Sequence, residues 1–369
     1  MRDASDPRVV LTLDAGGTTF AFSAMQGCAR AGREVVLPAE VDELGPCLET
    51  ITAGFRQLLA EAPAPPVAIS FAFPGPADYA AGIIGDLQNL PAFRGGVALG
   101  PFLEDRFGLP VYLNNDGDLF ACGEAMAGLL PEVNRWLEAA GSPKRYRNLF
   151  GVTLGTGFGG GLVQDGRLYL GDNGAGAEIW SLRGRRFPWG PAEEGVSIRA
   201  VRRAYAELAG LPWAASPEPR VLADIARGSA PGHRAAAVEA FRRLGECTGD
   251  ALAMATSLLD ALVVVGGGLS GAGELFLPAL VEEMNAPLAT PAGDRFPRME
   301  VTAYNLEDPA QRSRFINGGS RAVTVPGSRR QVPYDPAKRV GVGLTRLGTS
   351  LAVGVGACAY ALDRLDSRR

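Results

Sequence analysis

The chain has 369 residues, and its 49 Gly are about 13% of it against a usual level of about 7%. Lys plus Arg is 36 and Asp plus Glu is 40, a net charge of −4 that gives no field to attract nucleic acid or an anionic membrane. One histidine, His233, and five scattered cysteines without a C-x-x-C exclude histidine relays, zinc ribbons, thioredoxin-type sites and a disulfide framework. The polar, acidic start is no signal peptide, and the apolar stretch at 351–362 is too short for a bilayer, so a soluble cytoplasmic protein of two domains is expected.

In chain order, Val9–Leu13 is a β-branched run ending at Asp14 and a Gly pair, and Thr18–Met25 returns as a second strand of a hairpin. Leu48, Ile51, Phe55, Leu58 and Leu59 recur at helical spacing across 46–61. Val67–Phe73 and Val111–Leu113 read as buried strands, with a helix from about Asp118 to Ala127. The second half then starts over: strand Asn148–Leu154, a Gly-rich turn at 155–161, and return strands at 162–163 and 167–170. Helices are expected at 195–209, 234–258 and 273–283, with the strand Ala261–Val265 and Gly266–Gly268 between the last two. Residues 285–345 read as irregular, a solvated basic segment carrying Arg321, Arg329, Arg330, Lys338 and Arg339. The final helix, 346–365, carries Ala352, Gly354, Gly356 and Ala357, small residues suited to close packing. Strands alternating with helices make this an α/β fold, and two halves of one plan suggest related domains.

Four segments carry chemistry. The turn Asp14-Ala15-Gly16-Gly17-Thr18 leaves backbone N–H groups uncovered for a phosphate, while Asp14 suits Mg²⁺ directly or through water; an ordinary hairpin turn has the same residues. The turn at 155–161 has more Gly than a hairpin needs, and Thr156 adds a hydroxyl donor, which favours a phosphate site. Gly266-Gly267-Gly268 lets backbone approach a flat ligand, or merely turns tightly. Asn115-Asp116, between strand and helix, reads either as a helix cap or as a general base with a neighbour that orients the substrate hydroxyl.

Taken together and in this order, with Pro74-Gly75-Pro76-Ala77-Asp78, Asn115-Asp116-Gly-Asp-Leu-Phe-Ala-Cys-Gly-Glu124 and Asn173-Gly-Ala-Gly-Ala-Glu178-Ile179, these motifs resemble the ROK family of sugar kinases and related repressors. The resemblance implies a two-domain actin-like ATPase (ribonuclease H-like) fold with an interdomain cleft: 1–116 as N-terminal domain, completed by the helix 346–369, and 117–345 as the larger C-terminal domain. It implies ATP-dependent phosphorylation of a sugar hydroxyl on a hexose or N-acetylhexosamine, with Asp116 as base. Asp14 would hold Mg²⁺, with Gly16, Gly17 and Thr18 beside the transferred phosphate. Gly155, Thr156 and Gly157 would clamp phosphate, and Gly266, Gly267 and Gly268 would edge the adenosine pocket. Asn89, Asn115, Asp116, Glu178 and Glu193 would contact the sugar, and the protein would be a homodimer or higher homo-oligomer.

One departure is plain. The family's Glu-Ile is usually followed by Gly-His and a zinc-binding cysteine cluster; here Trp180-Ser181 follow, and residues 181–192 have neither His nor Cys. No zinc is therefore expected, and Trp180 and Trp189 are expected to fill the vacated volume rather than stack on sugar. A sugar-responsive sensor without catalysis is the alternative; a repressor would need a DNA-binding domain before Asp14, where thirteen residues stand. An actin-like chaperone or filament ATPase would leave Asn115-Asp116 and Glu178 unexplained.

Overall fold

The computed structural model describes residues 6–15, 18–86 and 91–367, so Gly16, Gly17 and Asn89 lie outside the described residues. The chain forms two compact units, one of Met1–Gly128, Gly161–Ala177 and Arg346–Arg369, the other of Leu129–Gly160 and Glu178–Thr345.

In the first unit, β1 (Val9–Ala15) and β2 (Thr19–Gln26) pair antiparallel from Val9 opposite Gln26 to Ala15 opposite Phe20. Two short strands, β3 (Ala29–Arg30) and β4 (Val35–Pro38), both pair with β2. Helix α1 (Leu44–Glu61) buries Cys47, Ile51, Phe55 and Leu58; of the expected stripe Leu48 is half-buried and Leu59 is exposed. Strand β5 (Pro66–Ala72) lies parallel to β1; a small hairpin, β6 (Ala77–Asp78) and β7 (Ile83–Ile84), and helix α2 (Leu99–Phe107) lead to β8 (Val111–Asn114), parallel to β5. The sheet order is β3-β2-β1-β5-β8. Phe22, Phe55, Phe71 and Phe73 contact one another edge-on or tilted at 5.1–6.3 Å between centroids. Each buried ring contributes roughly 1.5–3 kcal/mol, so this cluster is the centre of the unit's core. Helix α3 (Asp116–Met126) follows β8.

In the second unit, α4 (Leu129–Ala139) precedes β9 (Leu149–Leu154); β10 (Phe158–Gln164) and β11 (Arg167–Tyr169) follow, and from Gly161 onward they count with the first unit. Helices α5 (Ile198–Ala209), α6 (Pro219–Arg227) and α7 (Arg234–Leu259) lead to β12 (Leu262–Gly266) and α8 (Gly273–Met284). His233 stands at the N-cap of α7 without a side-chain cap bond.

The segment 285–345 is not irregular. Two exposed hairpins, β13 (Pro287–Ala289) with β14 (Arg295–Pro297) and later β16 (Arg321–Thr324) with β17 (Gln331–Tyr334), flank β15 (Thr302–Asn305) and α9 (Pro309–Asn317). Strand β18 (Arg339–Leu344) follows, and the second sheet runs β11-β10-β9-β12-β18-β15. Alternating Val and Gly in β18 gives it too little apolar length to announce a central strand, which is why the sequence pattern conceals it. Arg339, expected in solvent, is 1% exposed: Asp335 accepts from its two terminal nitrogens at 2.8 and 2.7 Å, and Phe315 lies beneath it with its carbonyl accepting from Nε. The bidentate pair satisfies a charge that could not be buried alone, and the guanidinium in turn holds the Asp335 carboxyl below its usual range.

The chain ends in α10 (Thr349–Ser367), which packs along α3 in the first unit. The approach is closed by glycines: a Cβ on Gly356 would lie 1.8 Å from the Leu119 carbonyl oxygen, and one on Gly123 1.9 Å from that of Ala352. Fully buried Glu124 of α3 accepts the backbone N–H groups of Arg346 and Leu347 at 3.0 Å each, anchoring the segment that enters α10. Residues 117–128, which the sequence reading gives to the C-terminal domain, belong to the first unit because α3 continues from Asp116 without a break under α10. Among the described residues no helix is long and apolar enough to cross a membrane, and none of the five cysteines forms a disulfide.

Candidate functional site

In the first unit, parallel strands β1, β5 and β8 end on one edge, where ligands of open α/β sheets bind. Asp14 is the penultimate residue of β1 and is exposed. Thr18, also exposed, precedes β2 and accepts the Ala39 N–H through its carbonyl at 3.1 Å. Two strands along the sheet from β1, β8 stops at Asn114, whose Oδ1 accepts the Asn115 N–H at 2.9 Å.

Asn115, not Asp116, caps α3: its backbone is extended and its Oδ1 accepts the Asp118 N–H at 2.6 Å. Asp116 is the first helical residue and exposed, its Oδ1 accepting the Gly117 N–H at 2.9 Å. The cap position is therefore held by Asn115, and Asp116 accepts the N–H of the next residue. Asn115→Ala should cost about 1 kcal/mol of stability in urea denaturation, whereas Asn115→Asp, which keeps the cap acceptor, should cost almost none.

In the second unit, β9 ends at Leu154 and β12 at Gly266, and both following turns use Leu154. Gly267 has φ +86°, and a Cβ there would lie 2.4 Å from the Leu154 carbonyl oxygen, so only glycine fits. That same oxygen accepts the Leu269 N–H at 3.0 Å. Gly266 is buried at its strand end, while Gly268 and Gly155 border open space in which backbone is within reach of a ligand. Thr156 is exposed at the tip, and the Gly155 N–H bonds the Gly157 carbonyl at 3.0 Å. Further along the run, Gly161 serves packing: a Cβ there would lie 2.4 Å from the Gly117 carbonyl oxygen at the start of α3.

Glu178 and Glu193 sit beside consecutive single-turn helices, Ile179–Ser181 and Ala192–Glu194, that pack on each other. Glu178 is exposed, follows Ala177 in the left-handed region (φ +64°), and accepts Ser181 Oγ through its carbonyl at 2.8 Å. Trp180 Nε1–H donates to Glu178 Oε2. The filling role expected of the tryptophans does not hold: Trp189 is 84% exposed, meeting the Phe187 ring edge-on, and Trp180 is 43% exposed. Trp180's bond to Glu178 was invisible in sequence, where only its position two residues on from the glutamate hints at it. Of the acidic pair 193–194, Glu194 is taken by Arg199 and Arg203 at 3.0 and 2.9 Å, which hold its carboxyl below the usual range. Glu193 instead turns to the Gly-rich turn, where its Oε2 accepts the Phe158 N–H at 3.1 Å.

Among the described residues no cluster of three or more His, Cys, Asp or Glu could hold a metal. Asp14 offers one exposed carboxylate, too few donors by itself for a resident ion. Residues 181–192 offer no zinc donor.

Comparison with known proteins extends this picture. The ROK family model matches residues 10–310. The chain is 29% identical over 302 residues to a glucokinase of Thermotoga maritima, covering 74% of this chain and 86% of that protein. It is 30% identical over 278 residues to an N-acetyl-D-glucosamine kinase of Vibrio vulnificus, covering 70% and 83%. A crystal structure of a glucokinase from Parabacteroides distasonis superposes with a TM-score of 0.89 at 53% identity, over 98% of this chain and 99% of that one. A ROK hexokinase from Thermus thermophilus shares the fold at 22% identity, with a TM-score of 0.66 over 97% and 99% of the two chains. A strand edge with Asp14 and an uncapped Asp116, glycine turns around Leu154, and a family model matched over most of the length lead to one assignment: the chain belongs to the ROK family.

Proposed function

We propose that this protein is an ATP-dependent sugar kinase with glucose as its first substrate and Asp116 as general base. The observation that carries the reading is the capping of α3 by Asn115, which leaves the Asp116 carboxylate exposed on the strand edge that also bears Asp14. Glucose is favoured by the glucokinase at 53% identity.

The Asp116 carboxylate accepts the proton of the sugar hydroxyl as its oxygen bonds to the γ-phosphorus and the bond to the bridging oxygen of ADP breaks. Asn115 and Glu178 orient the sugar hydroxyls, Glu178 being held by Trp180. Thr156 Oγ and the Gly157 amide stabilise phosphate charge, and Gly268, which borders open space, leaves room for the adenosine. Mg²⁺, when bound, neutralises charge on the phosphoryl oxygens, and Asp14 is the residue that would hold it. Little covalent chemistry falls to the protein, so having a single histidine is no handicap. The reading extends to a homo-oligomer and to a cytoplasmic setting, the latter in keeping with cysteines that form no disulfide.

The test is ADP release with Mg²⁺-ATP over glucose, fructose, mannose and N-acetylhexosamines. Glucose-dependent ADP with equimolar sugar phosphate is expected. No sugar-dependent ADP from any of them would overturn the kinase reading in favour of a sugar sensor.

A further inference from the structure

The turn at 155–158 has one bond of its own, from the Gly155 N–H to the Gly157 carbonyl at 3.0 Å, and two bonds from one short segment brace it from outside. The Phe158 N–H donates to Glu193 Oε2 at 3.1 Å, and the Gly155 carbonyl accepts the Ile198 N–H at 2.8 Å. The segment is itself fixed, since buried Ser197 caps α5 by accepting the Ala200 N–H through Oγ at 3.3 Å. Glu193 also fits tightly under the turn: a Cβ on Gly157 would come 2.8 Å from its Oε2. Its other oxygen lies 3.6 Å from Arg199, which keeps the carboxylate from swinging away and offsets part of its charge.

From this geometry we propose that Glu193 is a positioning residue for the nucleotide-phosphate turn, and not solely a sugar contact. The proposal rests on the kinase reading for the identity of the ligand at 155–157. Its logic is local. With no Cβ at 155 or 157, the turn has many accessible backbone conformations, and preorganised amides stabilise phosphate only if the turn is already in place. A carboxylate that accepts a backbone N–H is a strong acceptor, and here it removes the turn's freedom at the residue where β10 begins. Because one carboxylate would brace the phosphate turn and also face sugar, the occupancy of one ligand would be felt by the other.

The measurement is Mg²⁺-ATP binding by titration calorimetry without sugar, for the wild-type chain, Glu193→Ala and Glu193→Gln, together with amide hydrogen exchange at Phe158. Glu193→Ala is expected to weaken sugar-free ATP binding about tenfold and to speed exchange at Phe158 at least tenfold. Glu193→Gln keeps an acceptor oxygen and should restore both to within about threefold of wild type, with a melting temperature showing that it folds. Unchanged ATP binding in Glu193→Ala alongside a raised sugar KM would reduce Glu193 to a sugar contact and overturn the proposal. Tighter ATP binding in both variants would also overturn it, since repulsion between carboxylate and phosphate would then outweigh the bracing. Failure of the kinase reading looks different: the wild-type chain would release no ADP with any sugar, while exchange at Phe158 would still report on the brace.

Discussion

Asp116→Asn should lower kcat about 10²–10⁴-fold while sugar KM changes by no more than a few-fold. The carboxamide is isosteric with the carboxylate and still accepts the Gly117 N–H, so the helix start survives, but it takes no proton at neutral pH. Asn115 alone carries the cap bond to Asp118, so no loss of stability is expected beyond about 0.5 kcal/mol. That separation makes the variant informative: a coupled ADP-release assay reads the chemistry and a urea melt reads the fold. A kcat within threefold of wild type would place the general base elsewhere.

Gly356→Val should destabilise the first unit by at least about 3 kcal/mol and abolish turnover with it. Overpacking usually costs about 1–3 kcal/mol because a neighbouring side chain can shift. Here the neighbour is backbone: the added Cβ would lie 1.8 Å from the Leu119 carbonyl oxygen and 2.9 Å from the Gly123 nitrogen. No rotamer relieves that, so α10 and α3 must part, and α3 carries Asp116 at its first residue. Gly354 on the same helix provides the control, since its added Cβ meets only Met25 Sδ at 3.6 Å. Gly354→Ala should be neutral or stabilising by up to about 1 kcal/mol through helix propensity. Equal melting temperatures for Gly356→Val and wild type would contradict the close approach of the two helices.

Legibility differed from residue to residue for physical reasons. The β1–β2 hairpin, α1, α7 and the packing role of Gly356 were readable, because each depends on local periodicity or on the presence of a small residue. The Gly-rich run 155–161 was half readable. Its excess of glycine pointed to a phosphate turn, yet Gly161 is there for the backbone of α3, a neighbour more than forty residues away in sequence. Helices α2, α4 and α6 went unseen, and so did β18, whose strand character comes from the two strands that flank it. Arg339 looked like surface because nothing in its neighbourhood announces that Asp335 and Phe315 close over it.

By itself, then, the sequence determined the α/β class and the order of the motifs that mark the ROK family, both of which follow from spacing and residue type. Only the tertiary structure decided that Asn115 and not Asp116 caps α3, which of two adjacent glutamates turns to the Gly-rich turn, and that Trp180 bonds Glu178 while standing in solvent. The reason is that a hydrogen-bond partner is chosen by direction and distance in space, and the chain brings those partners together only after its sheets and helices have packed.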